Sequence, residues 1–146
     1  MSSSFHVDPA ASKLLVVDDD ALVRRAAVMI LRRAGFQVYQ AEDGLTALSL
    51  TLQHSFALAV SDIQMPVIDG FSLVRSLRKS GNYFPIILMS GNVNVDYGAV
   101  QLAGAAGFLP KPFSSEELVG IVRSTLARPV TIVPGANPDA RKKGWV

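Results

Sequence analysis

Three aspartates, Asp18, Asp19 and Asp20, follow directly on the apolar run Leu14-Leu15-Val16-Val17. Two chemistries suit them. Clustered carboxylates repel one another and are costly to desolvate, so a divalent ion that takes only oxygen ligands, Mg2+ above all, is a natural compensation. Asp is equally a favoured helix N-cap, and an acidic turn ahead of a helix needs no metal. We divide the triplet between the two: Asp20 is expected to cap a helix beginning at Ala21, leaving Asp18 and Asp19 as candidate ligands. Further on, Asp62, Ser90 and Lys111 each stand at or just past the end of another short apolar run. Singly, each has an ordinary reading: a turn cap, a helix start, a solvated loop lysine. Together with Asp18 and Asp19 they make three carboxylates, a hydroxyl and an ammonium, a set that capping alone would rarely supply if the fold brings them together.

That condition rests on the elements. Apolar runs without alternation read as strands covered on both faces. Strands are expected over 13–17, 36–41, 56–60, 85–89 and 107–109. Between them, three-to-four-residue spacing predicts helices over 21–34, 44–53, 71–79, 93–104 and 114–127. Leu22, Ala26, Met29, Ile30 and Arg33 are so spaced in the first helix, with Gly35 just past its end. Gly98 and Gly104 weaken the fourth helix. Ser114 or Ser115 should cap the last, with Glu116 and Glu117 in its first turn. Five βα units in succession imply an α/β fold, a parallel sheet with right-handed crossovers and helices on both faces. Pro110 lacks a ladder donor and places the last strand at an edge. The expected architecture is a doubly wound five-stranded sheet of order 2-1-3-4-5, a flavodoxin-like (βα)5 fold, whose ligands bind beyond the strands' carboxyl ends between the first and third strands. Asp18, Asp19, Asp62, Ser90 and Lys111 all lie at that end.

Composition bounds the rest. With 146 residues, 49% of them apolar, the chain supports one ordinary domain with a real core. The absence of cysteine excludes disulfides and thiolate metal sites. No apolar run approaches the roughly 20 residues that span a bilayer. Residues 1–11 lack the basic start and apolar core of a signal peptide, so a soluble, cytoplasmic protein is expected. Residues 1–127 carry ten Lys or Arg against eleven Asp or Glu, whereas the stretch from Arg128 carries four against one. The basicity therefore belongs to the tail. Domain organisation is read as a flexible segment over 1–12, one folded domain over 13–127 and a basic, Pro- and Gly-containing tail or linker over 128–146, with no recognition helix for DNA.

The strings Leu14-Leu15-Val16-Val17-Asp18-Asp19-Asp20, Ser61-Asp62-Ile63-Gln64-Met65-Pro66-Val67-Ile68-Asp69-Gly70, Ile87-Leu88-Met89-Ser90-Gly91 and Gly107-Phe108-Leu109-Pro110-Lys111-Pro112-Phe113 together resemble the response-regulator receiver family of two-component signalling. The resemblance covers about residues 13–127. It implies that Asp62 accepts a phosphoryl group from a histidine kinase or His phosphotransfer protein. Asp18, Asp19, the Asp62 carboxylate and the Gln64 backbone carbonyl would hold Mg2+, with Mn2+ as an alternative. Lys111 would bind a phosphoryl oxygen and Ser90 would donate its hydroxyl to the same group after phosphorylation. Phe108 stands where many relatives have tyrosine, and would act with Ser90 as a switch toward an output face made of the fourth helix, last strand and last helix. Lys111-Pro112 would carry a cis bond. Gln64 and Asn92, two residues beyond Asp62 and Ser90, would influence phosphoryl lifetime. The implied role is a phospho-acceptor with self-phosphorylation and self-dephosphorylation, not a conventional turnover enzyme. A downstream protein target and a monomer or weak dimer complete the expectation.

Two other readings compete. Asp18-x-Asp20 with Ser90 and Lys111 also looks like the start of a haloacid-dehalogenase-type phosphatase using Asp18 as nucleophile, but that reading leaves Asp62 unused. A receiver-like interaction module that is never phosphorylated is the other, and such chains usually lack one of the five groups.

Overall fold

The computed structural model describes residues 12–128. The expected N-terminal segment and basic tail, apart from Ser12 and Arg128, lie outside the described residues. Among the described residues ten elements alternate: β1 (Lys13–Val17), α1 (Ala21–Arg33), β2 (Gln37–Ala41), α2 (Gly44–Gln53), β3 (Leu58–Asp62), α3 (Gly70–Lys79), β4 (Ile86–Ser90), α4 (Tyr97–Leu102), β5 (Gly107–Pro110) and α5 (Ser115–Ala127). The strands form one parallel sheet in the order β2-β1-β3-β4-β5. Pro110 therefore does sit on an edge strand, in register with Ser90.

Both faces of the sheet are covered, and period-two alternation divides each strand between two cores. Leu15, Val17, Ala59, Ile86 and Leu88 meet Ala47, Leu73, Val74, Leu77 and Val100 of α2, α3 and α4 on one face. Leu14, Val16, Leu58, Val60, Ile87 and Met89 meet Ala27, Val28, Leu31, Leu118 and Val122 of α1 and α5 on the other. Burial on both sides is why β1, β3 and β4 read as unbroken apolar runs.

Caps set the helix starts. Asp20 accepts from Leu22 and Val23 N–H groups, Asp43 from Thr46, Asp69 from Ser72 and Asp96 from Gly98 and Ala99. Ser114, not Ser115, caps α5, in a reciprocal box with Glu117.

Three expectations are corrected. The spaced residues of α1 lie mostly on its solvent side: Ala27, Val28 and Leu31 are buried and Ile30 packs against their core, whereas Leu22 and Met29 are exposed. This helix carries apolar residues on two faces, and spacing alone cannot say which one meets the sheet. Strand β3 begins and ends two residues later than expected, because its pairing with β1 and β4 runs from Leu58 to Asp62, so Asp62 is the last strand residue. Helix α4 begins at Tyr97, not 93. The Asn92 N–H bonds the Ser90 hydroxyl and the Asn94 N–H bonds the Asn92 side chain, local bonds that compete with helix formation. At its other end the helix stops at Leu102, and Gly104 takes a φ of 84°, the left-handed conformation that ends helices.

Candidate functional site

Parallel register brings the strand ends level. Asp18 is the first residue after β1, Asp62 ends β3, Ser90 ends β4 and Lys111 follows β5. One carboxylate oxygen from each of Asp18, Asp19 and Asp62 lies within 4.8 Å of the other two. Lys111 Nζ is 2.8 Å from Asp18 Oδ2 and 3.3 Å from Asp62 Oδ1. Asp18 is wholly buried, Asp62 is 6% exposed, and Asp19 is open to solvent.

Asp18 is held at each of its polar atoms. Its N–H donates to the Ala41 carbonyl (3.1 Å), its carbonyl accepts from Arg24 Nη1 (2.9 Å), Oδ1 accepts from the Asp20 N–H (2.9 Å) and Oδ2 from Lys111. Asp62 has fewer supports. Desolvation by burial and the Asp18 carboxylate raise its pKa, and the Lys111 ammonium only partly offsets them. Burial pulls Lys111 the other way, yet its hydrogen bond to Asp18 and the charges of Asp62 and Asp18 hold its pKa above the ordinary lysine value.

The loop after β3 is tightly pinned. The Ile63 N–H donates to the Met89 carbonyl (2.9 Å) and the Ile63 carbonyl accepts from Gly70 (2.7 Å). Ile68 N–H bonds the Pro66 carbonyl (2.8 Å) across Val67, whose φ is 71°, closing a γ-turn on a β-branched residue. A Cβ on Gly70 would stand 2.5 Å from the Asp62 carbonyl oxygen, so only glycine lets α3 approach the end of β3. The exposed Gln64 lies within this loop, and its carbonyl accepts no backbone hydrogen bond among the described residues.

Ser90 is buried at the same end, its hydroxyl accepting from the Asn92 N–H at 3.0 Å and its carbonyl from the Lys111 N–H at 2.8 Å. The Lys111-Pro112 peptide is cis. Phe108 is half-buried two residues before Pro110, and its ring meets Tyr97 edge to face, 5.2 Å between centroids at 86°. Sequence reasoning missed Tyr97 and Arg24. Tyr97 follows a capping Asp, a weak signal; Arg24 is visible only once α1 is docked.

The donor set suits a hard dication. Three carboxylates face one ammonium, leaving excess negative charge in a partly buried cluster whose acceptors are all oxygen. Asp18 is more enclosed than Asp62 and fully engaged, so the phosphatase reading, which needs Asp18 as nucleophile, has no geometric support; Asp62 is the better-presented carboxylate.

Residues 14–123 match the family model of the response regulator receiver domain. The chain is 37% identical over 129 residues to the response regulator MprA of Mycobacterium sp. (strain KMS), covering 88% of this chain and 55% of that protein. It is 36% identical over 121 residues to the probable transcriptional regulator ycf29 of Pyropia yezoensis, covering 81% and 54%. The chain thus spans about half the length of the curated relatives it matches. The chemotaxis response regulator CheY4 of Vibrio cholerae superposes with a TM-score of 0.74 at 31% identity, covering 79% of this chain and 98% of that one. FixJ-N, at 24% identity with a TM-score of 0.76 over 87% of this chain and the whole of that one, shares the fold. Among the described residues no helix is long and apolar enough to cross a membrane. Sheet order, the acidic basin at the β1–β3 switch point and these likenesses converge: the chain belongs to the response regulator receiver family.

Proposed function

We propose that the domain takes a phosphoryl group onto Asp62 from the phosphohistidine of a histidine kinase or a His phosphotransfer protein. The observation that carries this reading is the Asp62 carboxylate at a strand end, 3.3 Å from Lys111 Nζ and grouped with Asp18 and Asp19. Asp18, Asp19, the Asp62 carboxylate and the Gln64 carbonyl would hold Mg2+, or Mn2+ in its place, which supplies charge compensation for phosphoryl oxygens. An Asp62 oxygen attacks phosphorus in line, the P–N bond breaks and its electron pair returns to the donor imidazole, leaving an acyl phosphate. Lys111 exchanges part of its contact with the carboxylates for a phosphoryl oxygen. Ser90 releases the Asn92 N–H and turns its hydroxyl toward the same group. Water attack on phosphorus later breaks the acyl P–O bond, releases inorganic phosphate and restores the Asp62 carboxylate.

The signal leaves through the α4–β5–α5 face. Ser90 movement unties the turn that delays α4, and the Phe108 and Tyr97 rings carry that change to the surface, where a downstream protein reads it. Label transfer from an autophosphorylated histidine kinase tests the reading. Transfer that requires Mg2+, and a label released by hydroxylamine as an acyl phosphate, support it; a label stable to hydroxylamine, or transfer undiminished by EDTA, contradicts it.

A further inference from the structure

We propose that Arg24 is a positioning residue for the acidic site, bracing the main chain of Asp18 against β2 so that its buried carboxylate keeps the aim a metal ion requires. The proposal rests on the metal-binding reading above and extends it to a residue outside the ligand set. Arg24 lies on α1, its N–H on the Asp20 carbonyl. From there its guanidinium donates in two directions, Nη1 to the Asp18 carbonyl at 2.9 Å and Nε to Gln40 Oε1 at 3.0 Å. Gln40 is in register with Val16, two residues before Asp18, and the next residue, Ala41, receives the Asp18 N–H. Asp18 is therefore clamped from both sides of its peptide, directly to β2 through its N–H and indirectly through Arg24 and Gln40. Its side chain has no exposed surface and both of its oxygens are hydrogen-bonded, so a shift of its backbone carries the carboxylate with it.

The guanidinium suits this task. Its rigid fork serves two acceptors in fixed directions, whereas a lysine at the same position keeps the charge but supplies one mobile point donor. Charge alone argues the opposite effect, since a cation near the site repels an incoming dication. The Arg24→Lys change holds charge constant and isolates positioning. Arg32 provides a matched control: it also ties α1 to β2, through Nη2 to the Val38 carbonyl at 2.8 Å, but it touches none of the acidic residues.

Isothermal titration of the full chain with MgCl2, with melting temperature in EDTA recorded beside it, tests the proposal. Arg24→Lys is expected to weaken Mg2+ binding roughly 10-fold, the low end of what losing a group that orients a metal ligand costs. Gln40→Met should shift affinity the same way by less, and Arg32→Lys should leave it unchanged even where it lowers the melting temperature. Phosphorylation of Arg24→Lys by acetyl phosphate should recover at saturating Mg2+, an affinity defect rather than a chemical one. Unchanged Mg2+ affinity in Arg24→Lys, or an equal loss in Arg32→Lys, overturns the proposal. A wild-type chain that binds no Mg2+ overturns the metal reading beneath it, an outcome distinct from wild-type binding that Arg24→Lys leaves intact.

Discussion

Asp62 is held in a state that opposes its own ionisation, because burial and the Asp18 carboxylate raise its pKa above the ordinary value of 3.8. The consequence for stability has a definite sign. A carboxyl whose folded pKa is raised costs nothing while both states are protonated, and the folded state loses stability as pH climbs through the raised value. Without metal, Asp62→Asn should therefore melt higher than the wild type near neutral pH, with the gap closing as pH falls below the carboxylate range. Urea or thermal denaturation in EDTA at several pH values measures this; a gap independent of pH would show that burial of charge is not its source. Lys111 keeps its charge throughout that range, its pKa lying above the ordinary lysine value. At this scale the sequence was informative. Asp18, Asp19, Asp62, Ser90 and Lys111 were all nameable because each ends an apolar run, and a strand end is the one position at which a parallel sheet exposes chemistry. Arg24 and Tyr97 were not, since their meaning depends on which way a helix is turned.

The elements position these groups through tight turns, and two of those turns make opposite predictions. Gly70 lets α3 start against the end of β3, where an added Cβ would lie 2.5 Å from the Asp62 carbonyl oxygen and 2.8 Å from Ile63 Cα. Gly70→Ala should cost about 2 kcal/mol, because backbone has to move to admit the methyl group. Val67 is the reverse case. It is 93% exposed with a φ of 71°, so its side chain adds strain and no packing, and Val67→Gly should stabilise the fold by about 1 kcal/mol. Chemical denaturation of both variants decides; a destabilised Val67→Gly would mean that the loop needs the valine side chain. Element boundaries were legible where local chemistry sets them, as at Asp20, Gly35 and Ser114. They were not where tertiary context decides. The face of α1 is chosen by the sheet it meets, the span of β3 by its two neighbours, and the start of α4 by the Ser90-Asn92-Asn94 chain of local bonds.

At the scale of the fold, the ten elements of the described residues serve one arrangement: a sheet buried on both faces, with its carboxyl edge open over the β1–β3 switch point. The two cores pack beneath that edge, and the late start and glycine-bearing end of α4, with Val100 its one buried residue, leave one bordering element lightly held. Strand order and the edge position of β5 followed from unbroken apolar runs and from Pro110, because connection rules leave few alternatives. On the proposed reading, this architecture makes Asp62, and not Asp18, the residue that takes the phosphoryl group. Intact-mass spectrometry after incubation with Mg2+ and acetyl phosphate tests it most directly. A single phosphoryl adduct on the wild-type chain, absent from Asp62→Asn, is expected; an adduct that persists in Asp62→Asn and disappears in Asp18→Asn would assign the chemistry to Asp18 instead.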